Sequence, residues 1–587
     1  MKKIILSLFL TISFVGFSQE TTTNTESRST FGQFLSNLNG SLESNAQWYT
    51  NDKKLGEFTD PLFPLEDEHV RANTYLSLDY SFLKNFTVGV QFESYEPLPL
   101  LNYYTGYNET NIATYFANYK NDKLDITAGH FYEQFGSGLL LRSFEERQLG
   151  LNNALRGGRI KYKPTDFLDF TALYGQQRIG FETSKSGIFG FDTTVDLSSV
   201  LNIESLNSFN FGLSYVGKNE GFTPENDTFN TDNFPELIHS YAARMDVDFG
   251  EVYTSLEYSI KGEDVAYTPP SAGLPTIIEG NYFKGNALLF TLGYTKKGIG
   301  VLGTFRRLEN MEFFSERKYG VAGANNFKML SINYVPALTK QQDYSLTNIY
   351  IYQPQPSLQL QNFAGQAGEI GGQLDFFYKF NKETAIGGKY GTKLAANLSY
   401  WSLLDATFDE NQATYNAEFL KFGSRLNRDF NFEIRKKFSK NLSGIFTYVN
   451  TIIDKGVTLG GPLGVQGNIK ANIAVAEATR KLGKGKSIRL EAQHLWTDQD
   501  KKNWAGATLE YNASNKLSFY VSDTYNYGND IEDNQTHYYN LGSSYTKGAT
   551  RAALNYGRQR GGLLCVGGVC RYVPENTGLT LNITTSF

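Results

Sequence analysis

The sequence predicts an all-β fold: a transmembrane antiparallel β-barrel of the outer membrane, of about 26 strands within a range of about 22–28, without a plug domain. Three observations predict it. The first is alternation. In TGLTLNITTSF, at the end of the chain, Leu579, Leu581, Ile583 and Phe587 share one face and Gly578, Thr580, Asn582, Thr584 and Ser586 the other. SFNFGLSY sets Phe209, Phe211, Leu213 and Tyr215 against Ser208, Asn210, Gly212 and Ser214, and KLSFYVSDTY does the same with Leu517, Phe519, Val521 and Tyr525. Period two means strands, and segments of about ten residues with one apolar and one polar face fit a wall between lipid and water. The second observation is that short and long connections alternate, as they do between the two sides of such a barrel. The third is composition. Aromatic residues make up 15% of the 587, with 38 Tyr and 44 Phe, yet after the N-terminal stretch there is no apolar run long enough for a membrane helix. A large soluble sandwich or propeller would also alternate, but no blade-length repeat of about 40 residues is present.

The elements follow in order. MKKIILSLFLTISFVGFS has a basic start, an apolar stretch shorter than a span, and small residues Gly16 and Ser18 before Gln19. It reads as a signal peptide over 1–18, cleaved near Ser18 after export through the inner membrane. Removing Lys2 and Lys3 and no acid moves the formal charge from -5 to about -7. A mildly acidic chain without a basic cluster argues against nucleic acid as partner. Residues 19–36 are short and polar, and a single barrel is expected over 37–587, its first strand beginning near Leu38. No stretch before that strand is long enough for the plug of a TonB-dependent transporter.

Short connections, many with lysine, are expected at Leu83–Asn85, Asn121–Lys123, Lys163–Asp166, Lys296–Gly298, Asn381–Lys382, Ser439–Asn441, Gly483–Gly485, Ala513–Asn515 and Lys547–Gly548. Longer ones, with Pro and Gly, are expected at Asp52–Asp67, Pro97–Thr110, Gly136–Ala154, Gly262–Phe283, Glu312–Asn325, Gln353–Ala367 and Lys455–Val465. Short turns belong to the periplasmic side and long loops to the outside. Parity holds back from Phe587 if Gly187–Leu197 is admitted as a strand, with Phe189, Phe191, Val195 and Leu197 on one face.

A barrel this wide and unplugged leaves a hole that must be closed by its own loops, by flattening or by another protein. GSGLLLRSFEERQLGLNNA (Gly136–Ala154) is the best candidate for closure. Gly136 and Gly138 permit a sharp inward bend, Leu139–Leu141 are too apolar to stand in water, and Arg142, Glu145, Glu146, Arg147, Arg156 and Arg159 supply charge for a lumen constriction. The plainer reading, and the favoured one, is an outer loop whose Arg and Glu pair locally for structural reasons. Arg306, Arg307, Glu309, Glu312 and Arg317, with Glu316, form a second candidate network at the lumen or rim, against a solvated loop base. The five histidines are scattered and no metal-ligand or hydrolase motif appears, so no catalytic residue, metal or cofactor is expected. His130 near Ser137 is the only formal pair.

The two cysteines, Cys565 and Cys570, flank Val566-Gly567-Gly568-Val569. Two thiolates do not complete a zinc site. Gly-Gly is a strong two-residue hairpin turn, which sets Cys565 opposite Cys570 in a pair close enough for a disulfide.

Three stretches, FYEQFGSGLLLRSFEERQLGLNNALRG (Phe131–Gly157), FRRLENMEFFSERKYG (Phe305–Gly320) and CVGGVCRYVPENTG (Cys565–Gly578), together resemble a Bacteroidota family of porin-like outer-membrane β-barrels of undefined role. The resemblance extends over the mature chain. It implies the fold and the outer-membrane location and brings no substrate, cofactor or catalytic residue. Asn152 and Asn153 stand where an acidic residue is expected.

The function expected is non-catalytic: a porin-like channel or transporter with loops folded into the lumen. The alternative is an accessory or structural subunit of a larger outer-membrane assembly. Expected partners are outer-membrane lipid and, in the second case, another outer-membrane or surface protein sealing the barrel.

Overall fold

The computed structural model describes residues 36–56, 69–100, 107, 109–221, 235–264, 283–316, 331–357, 366–409, 414–459, 463–464 and 466–587. The expected signal peptide lies outside these, as does the polar stretch after it up to residue 35.

The wall is built from β1 (Leu38–Tyr49), β2 (Val70–Phe82), β3 (Phe86–Ser94), β4 (Thr110–Lys120), β5 (Leu124–Phe131), β6 (Leu155–Thr165), β7 (Leu168–Ile179) and β8 (Gly187–Asp196). It continues through β9 (Ser208–Asn219), β10 (Leu237–Asp248), β11 (Val252–Asp264), β12 (Phe283–Lys296), β13 (Ile299–Glu309), β14 (Gly368–Phe380), β15 (Thr392–Phe408) and β16 (Tyr415–Lys437). It ends with β17 (Leu442–Asp454), β18 (Asn468–Gly483), β19 (Lys486–Trp496), β20 (Trp504–Asn512), β21 (Leu517–Tyr525), β22 (His537–Lys547), β23 (Thr550–Gln559) and β24 (Asn576–Ser586). Each pairs antiparallel with the next, and β24 returns to β1, with Tyr49 opposite Gly578 and Ser41 opposite Ser586. The result is a closed 24-strand antiparallel barrel.

The count is two below the central expectation, and the reason is local. Glu312–Asn325 and Gln353–Ala367 are read from sequence as separate outer loops, which requires two wall strands between them. The wall instead passes directly from β13 to β14, and residues 310–367 form one connection, of which 331–357 contains no wall strand. The weak strand expected near 187–197 is present as β8.

Alternation sorts the two faces, because directly opposed residues on paired strands share a side. Phe191, Tyr215, Tyr241 and Ile260 form one such row across β8–β11, and Phe191, Tyr241 and Ile260 are exposed on the outside. The next row inward, Asp192, Ser214, Ala242 and Ser259, faces the lumen, where Arg244 donates to Asp192 at 2.7 Å and to Ser214 at 2.7 Å.

At the outer rim the seam between first and last strands is locked by Asp52. Arg558 donates to both carboxylate oxygens at 2.6 and 3.0 Å, Thr577 donates at 2.7 Å and the Lys54 amide at 2.8 Å. Burial alone would raise this carboxyl, but the Arg558 and Thr577 hydrogen bonds outweigh it and hold Asp52 well below the usual carboxylate range. A depressed folded-state pKa contributes stability that is present above the unfolded value of about 3.9 and is lost as pH falls below it. Asp52→Asn is therefore expected to lower unfolding resistance at neutral pH by about 1–3 kcal/mol and to flatten its loss between about pH 5 and 2. Urea unfolding followed by heat-modifiable gel mobility checks this; an unchanged acid profile would remove the role assigned to Asp52.

Candidate functional site

The lumen is occupied by the chain itself. After β5, Gly136 (φ +52°) and Gly138 (φ +96°) turn the backbone inward, and the Ser137 amide donates to Glu257 on the wall at 2.8 Å. Leu139, Leu140 and Leu141 are fully buried against wall residues Leu173, Ile188 and Val216, and against Met311, Phe313 and Ile332 of the β13–β14 connection. The two inward segments meet backbone to backbone: the Tyr334 amide donates to Gly138 O and the Arg142 amide to Ile332 O, both at 2.9 Å. Asn153 donates to Ser331 O at 3.1 Å, so this residue, where an acid is expected, serves as a tie between segments.

Residues 331–357 then cross to the other half of the wall. Tyr344, Leu346, Tyr350 and Tyr352 pack on lumen-facing Trp401, Val449, Ile453, Ile473 and Leu495. The anchor is Glu369 on β14. It accepts from Arg306 at 2.7 Å, from the Gln355 amide at 2.8 Å and from the Tyr352 hydroxyl; Arg306 also donates to Pro336 O at 2.7 Å and lies over the Trp401 ring. Arg306 and Glu369 are both buried. Sequence reading found Arg306 and missed Glu369.

The other candidate charges separate. Arg147 contacts Glu43 at 3.0 Å, Glu145 at 3.1 Å and Gln91 at 3.1 Å. Gln91 in turn donates to Glu145 and Glu93, and Glu93 pairs with buried Arg178. Arg142 lies over the rings of Phe144 and Tyr334, 4.7 and 3.8 Å from their centroids. Glu146 accepts from the Gln148 amide and so caps the short turn Arg147–Leu149. Arg159 pairs with Asp125 at 3.1 Å and Glu133 at 3.4 Å. Arg156 is exposed on the opposite face of β6 and donates to Thr183.

The second network also splits. Arg306 faces the lumen, while its neighbour Arg307 faces outward with Glu309, donating to Asn286, Glu309 and Phe419 O under the bent hairpin of β15 and β16. Glu312 stays on the inner segment, where its carbonyl accepts from Lys261. Glu316 accepts from the Lys185 amide at 3.2 Å, and Arg317 lies outside the described residues. His130 and Ser137 take separate partners, the Tyr115 backbone and Glu257.

Between Arg147 and Gln148 on the inner side and β1, β2 and β20–β24 on the wall lies a cavity of about 690 Å³. Asn45, Asn73, Asn512, Asn555 and Asn582 line its wall side. The lumen is thus two unlike halves: an apolar wall covered by inner segments and a polar crescent beside them.

A family model described as a family of unknown function, DUF6029, matches residues 1–587. The chain belongs to the DUF6029 family. No curated protein matches it. Among solved structures it is similar to the P pilus usher PapC translocation pore, at 9% identity and TM-score 0.38 over 94% of this chain and 99% of that one. It is similar to the siderophore receptor PirA from Pseudomonas aeruginosa, at 9% and 0.40 over 94% and 80%. It is also similar to OccK3 (OpdO) from Pseudomonas aeruginosa, at 11% and 0.34 over 84% and 98%. Likeness at this level carries no argument about role, and the fold rests on the strand pairing itself.

In this DUF6029 barrel the cysteine hairpin folds inward too. Gly567 and Gly568 both have positive φ, Cys565 lies opposite Cys570, and the two are bonded. Gly567 O accepts from the Tyr334 hydroxyl at 2.6 Å and Gly568 O from the Ala337 amide at 3.0 Å. Arg571 donates to Leu149 O and Arg560 to Asn348 O. The finger therefore touches both inner segments of its own barrel. Replacing both cysteines by serine is expected to cost the hairpin about 2 kcal/mol of local order and to raise current noise modestly in a planar bilayer. An unchanged trace would reduce the bridge to a local staple.

Proposed function

We propose that the protein is an outer-membrane channel for small polar solutes, closed over most of its cross-section by its own inward-folded segments, with passage along the polar crescent. The role is non-catalytic. The carrying observation is the amide-lined cavity beside Arg147, flanked by a filled half-lumen. The exposed apolar rows on the outer face support insertion in a bilayer, and the signal-like N-terminus supports export to the outer membrane.

Purified full-length protein in a planar bilayer tests the reading. Discrete openings far below those of an empty barrel of this size are expected, and a silent bilayer would overturn it. The filled lumen also favours a second reading, an accessory subunit of an outer-membrane assembly. That reading expects a stable partner after mild detergent extraction, and isolation only as a lone chain would count against it.

A further inference from the structure

The chain is acidic overall, at net -5, but one arc of its short-turn rim is not. The three successive short connections from β14 to β19 read KFNKETAIGGKYGTK (379–393), KKFSKNLS (436–443) and RKLGKGKS (480–487). They hold eleven Lys or Arg and a single acid, Glu383. Ten of the eleven are exposed, and none forms an ion pair with a described residue. In the first half, NDK (121–123) and KPTD (163–166) balance their charges and DFGE (248–251) is acidic; LKN (83–85) and KKG (296–298) are basic but are separated from each other by these turns.

Each of the three basic connections also presents a large apolar side chain near its tip. Ile386, Phe438 and Leu482 are 58%, 59% and 47% exposed, each between basic residues of the same connection. Lys389 and Lys437 lie over the ring of Tyr390 in the first. Above the arc, Leu398, Tyr400, Phe446 and Leu490 are exposed. An apolar tip among lysines, repeated on three neighbouring turns below an apolar wall, is the pattern of an interfacial contact. The apolar group enters the headgroup–acyl boundary while lysine stems bend their ammonium groups to phosphate.

We propose that the rim below β14–β19 is a binding surface for anionic glycerophospholipid headgroups in the leaflet facing the short turns. It orients the barrel by favouring anionic lipid on one arc of its circumference. The inference rests on the membrane-spanning reading.

The test uses full-length protein in lipid nanodiscs of phosphatidylcholine and phosphatidylglycerol at roughly four to one, with retained lipid identified after delipidation by native mass spectrometry. Wild type is expected to retain phosphatidylglycerol above its bulk share. The combined variant K382Q/K389Q/K437Q/K440Q/K484Q/K486Q is expected to lose that preference, with retention down on the order of tenfold, and arginine at the same six positions to keep it. Phe438→Trp is expected to be quenched by lipids brominated on the acyl chain near the headgroup. Equal phosphatidylglycerol retention in wild type and the glutamine variant would overturn the proposal, as would an unquenched Trp at 438. Loss of the preference together with co-purification of an acidic protein in the wild type alone would assign the arc to that protein instead. A chain that does not enter the discs at all fails the membrane reading, a result distinct from insertion without lipid preference.

Discussion

Glu369→Ala is expected to free residues 331–357 from the wall and raise single-channel conductance several-fold over wild type. Glu369 is fully buried and receives Arg306, the Tyr352 hydroxyl and the Gln355 amide. Its removal leaves the Arg306 guanidinium buried with, among the described residues, the Pro336 carbonyl and the Trp401 face as partners. Breaking a buried pair from one side costs about 3–5 kcal/mol, more than the few hydrogen bonds left to the segment return. The cheapest relief is for the segment to leave and water to reach Arg306. Tyr352→Phe removes one of the three bonds and is expected to cost only about 1–2 kcal/mol and leave conductance near wild type. Planar-bilayer recordings of the three proteins, with limited proteolysis to detect the released segment, read the outcome. Wild-type conductance in Glu369→Ala with the segment still protected would show that the apolar contacts alone hold it.

The difference between what the sequence discloses and what it hides follows from the same packing. Wall strands such as Ser208–Asn219 and Leu517–Tyr525 separate lipid from lumen, so their alternation is plain. The cysteine turn is local chemistry, and its pairing is readable from six residues. Residues 331–357 are different. They pack apolar side chains on a wall, as wall strands do on lipid, and IYIY at Ile349–Tyr352 carries the β-branched and aromatic signature of a strand. That similarity adds two strands to the count. The missing clue is on the partner strands. In Leu442–Asp454, Phe446 is exposed outside while Val449 and Ile453 are buried inside, so the strand is apolar on both faces. Two apolar faces mean that something apolar fills that side of the lumen. The charges are harder, because neighbours in sequence point oppositely: Arg306 and Arg307 belong to different surfaces, Glu369 meets Arg306 across the β13–β14 pairing after a long connection, and Glu93 finds Arg178 past three intervening strands.

Glu93→Ala is the second large effect. Glu93 on β3 and Arg178 on β7 are paired and buried although three wall strands stand between theirs. Glu93 also accepts from Tyr95, and through Gln91 it is joined to Glu145 and to Arg147, which borders the polar cavity. Removing Glu93 leaves Arg178 with the face of Tyr107, at 5.7 Å, as a cation–π partner. The expected loss is about 3–5 kcal/mol, with Gln91 and Arg147 freed to shift into the crescent and change its conductance. The double variant Glu93→Leu with Arg178→Met replaces the pair by apolar groups of similar volume and is expected to recover most of the stability. It does not recover the position of Gln91, which still lacks the Glu93 acceptor. Urea unfolding in lipid vesicles reads the first quantity and bilayer conductance the second. If the strut both braces the wall and positions the crescent, stability returns in the double variant while conductance stays altered. Return of both would confine Glu93 to bracing, and return of neither would show that the charged pair itself, and not its volume, holds β3 against β7.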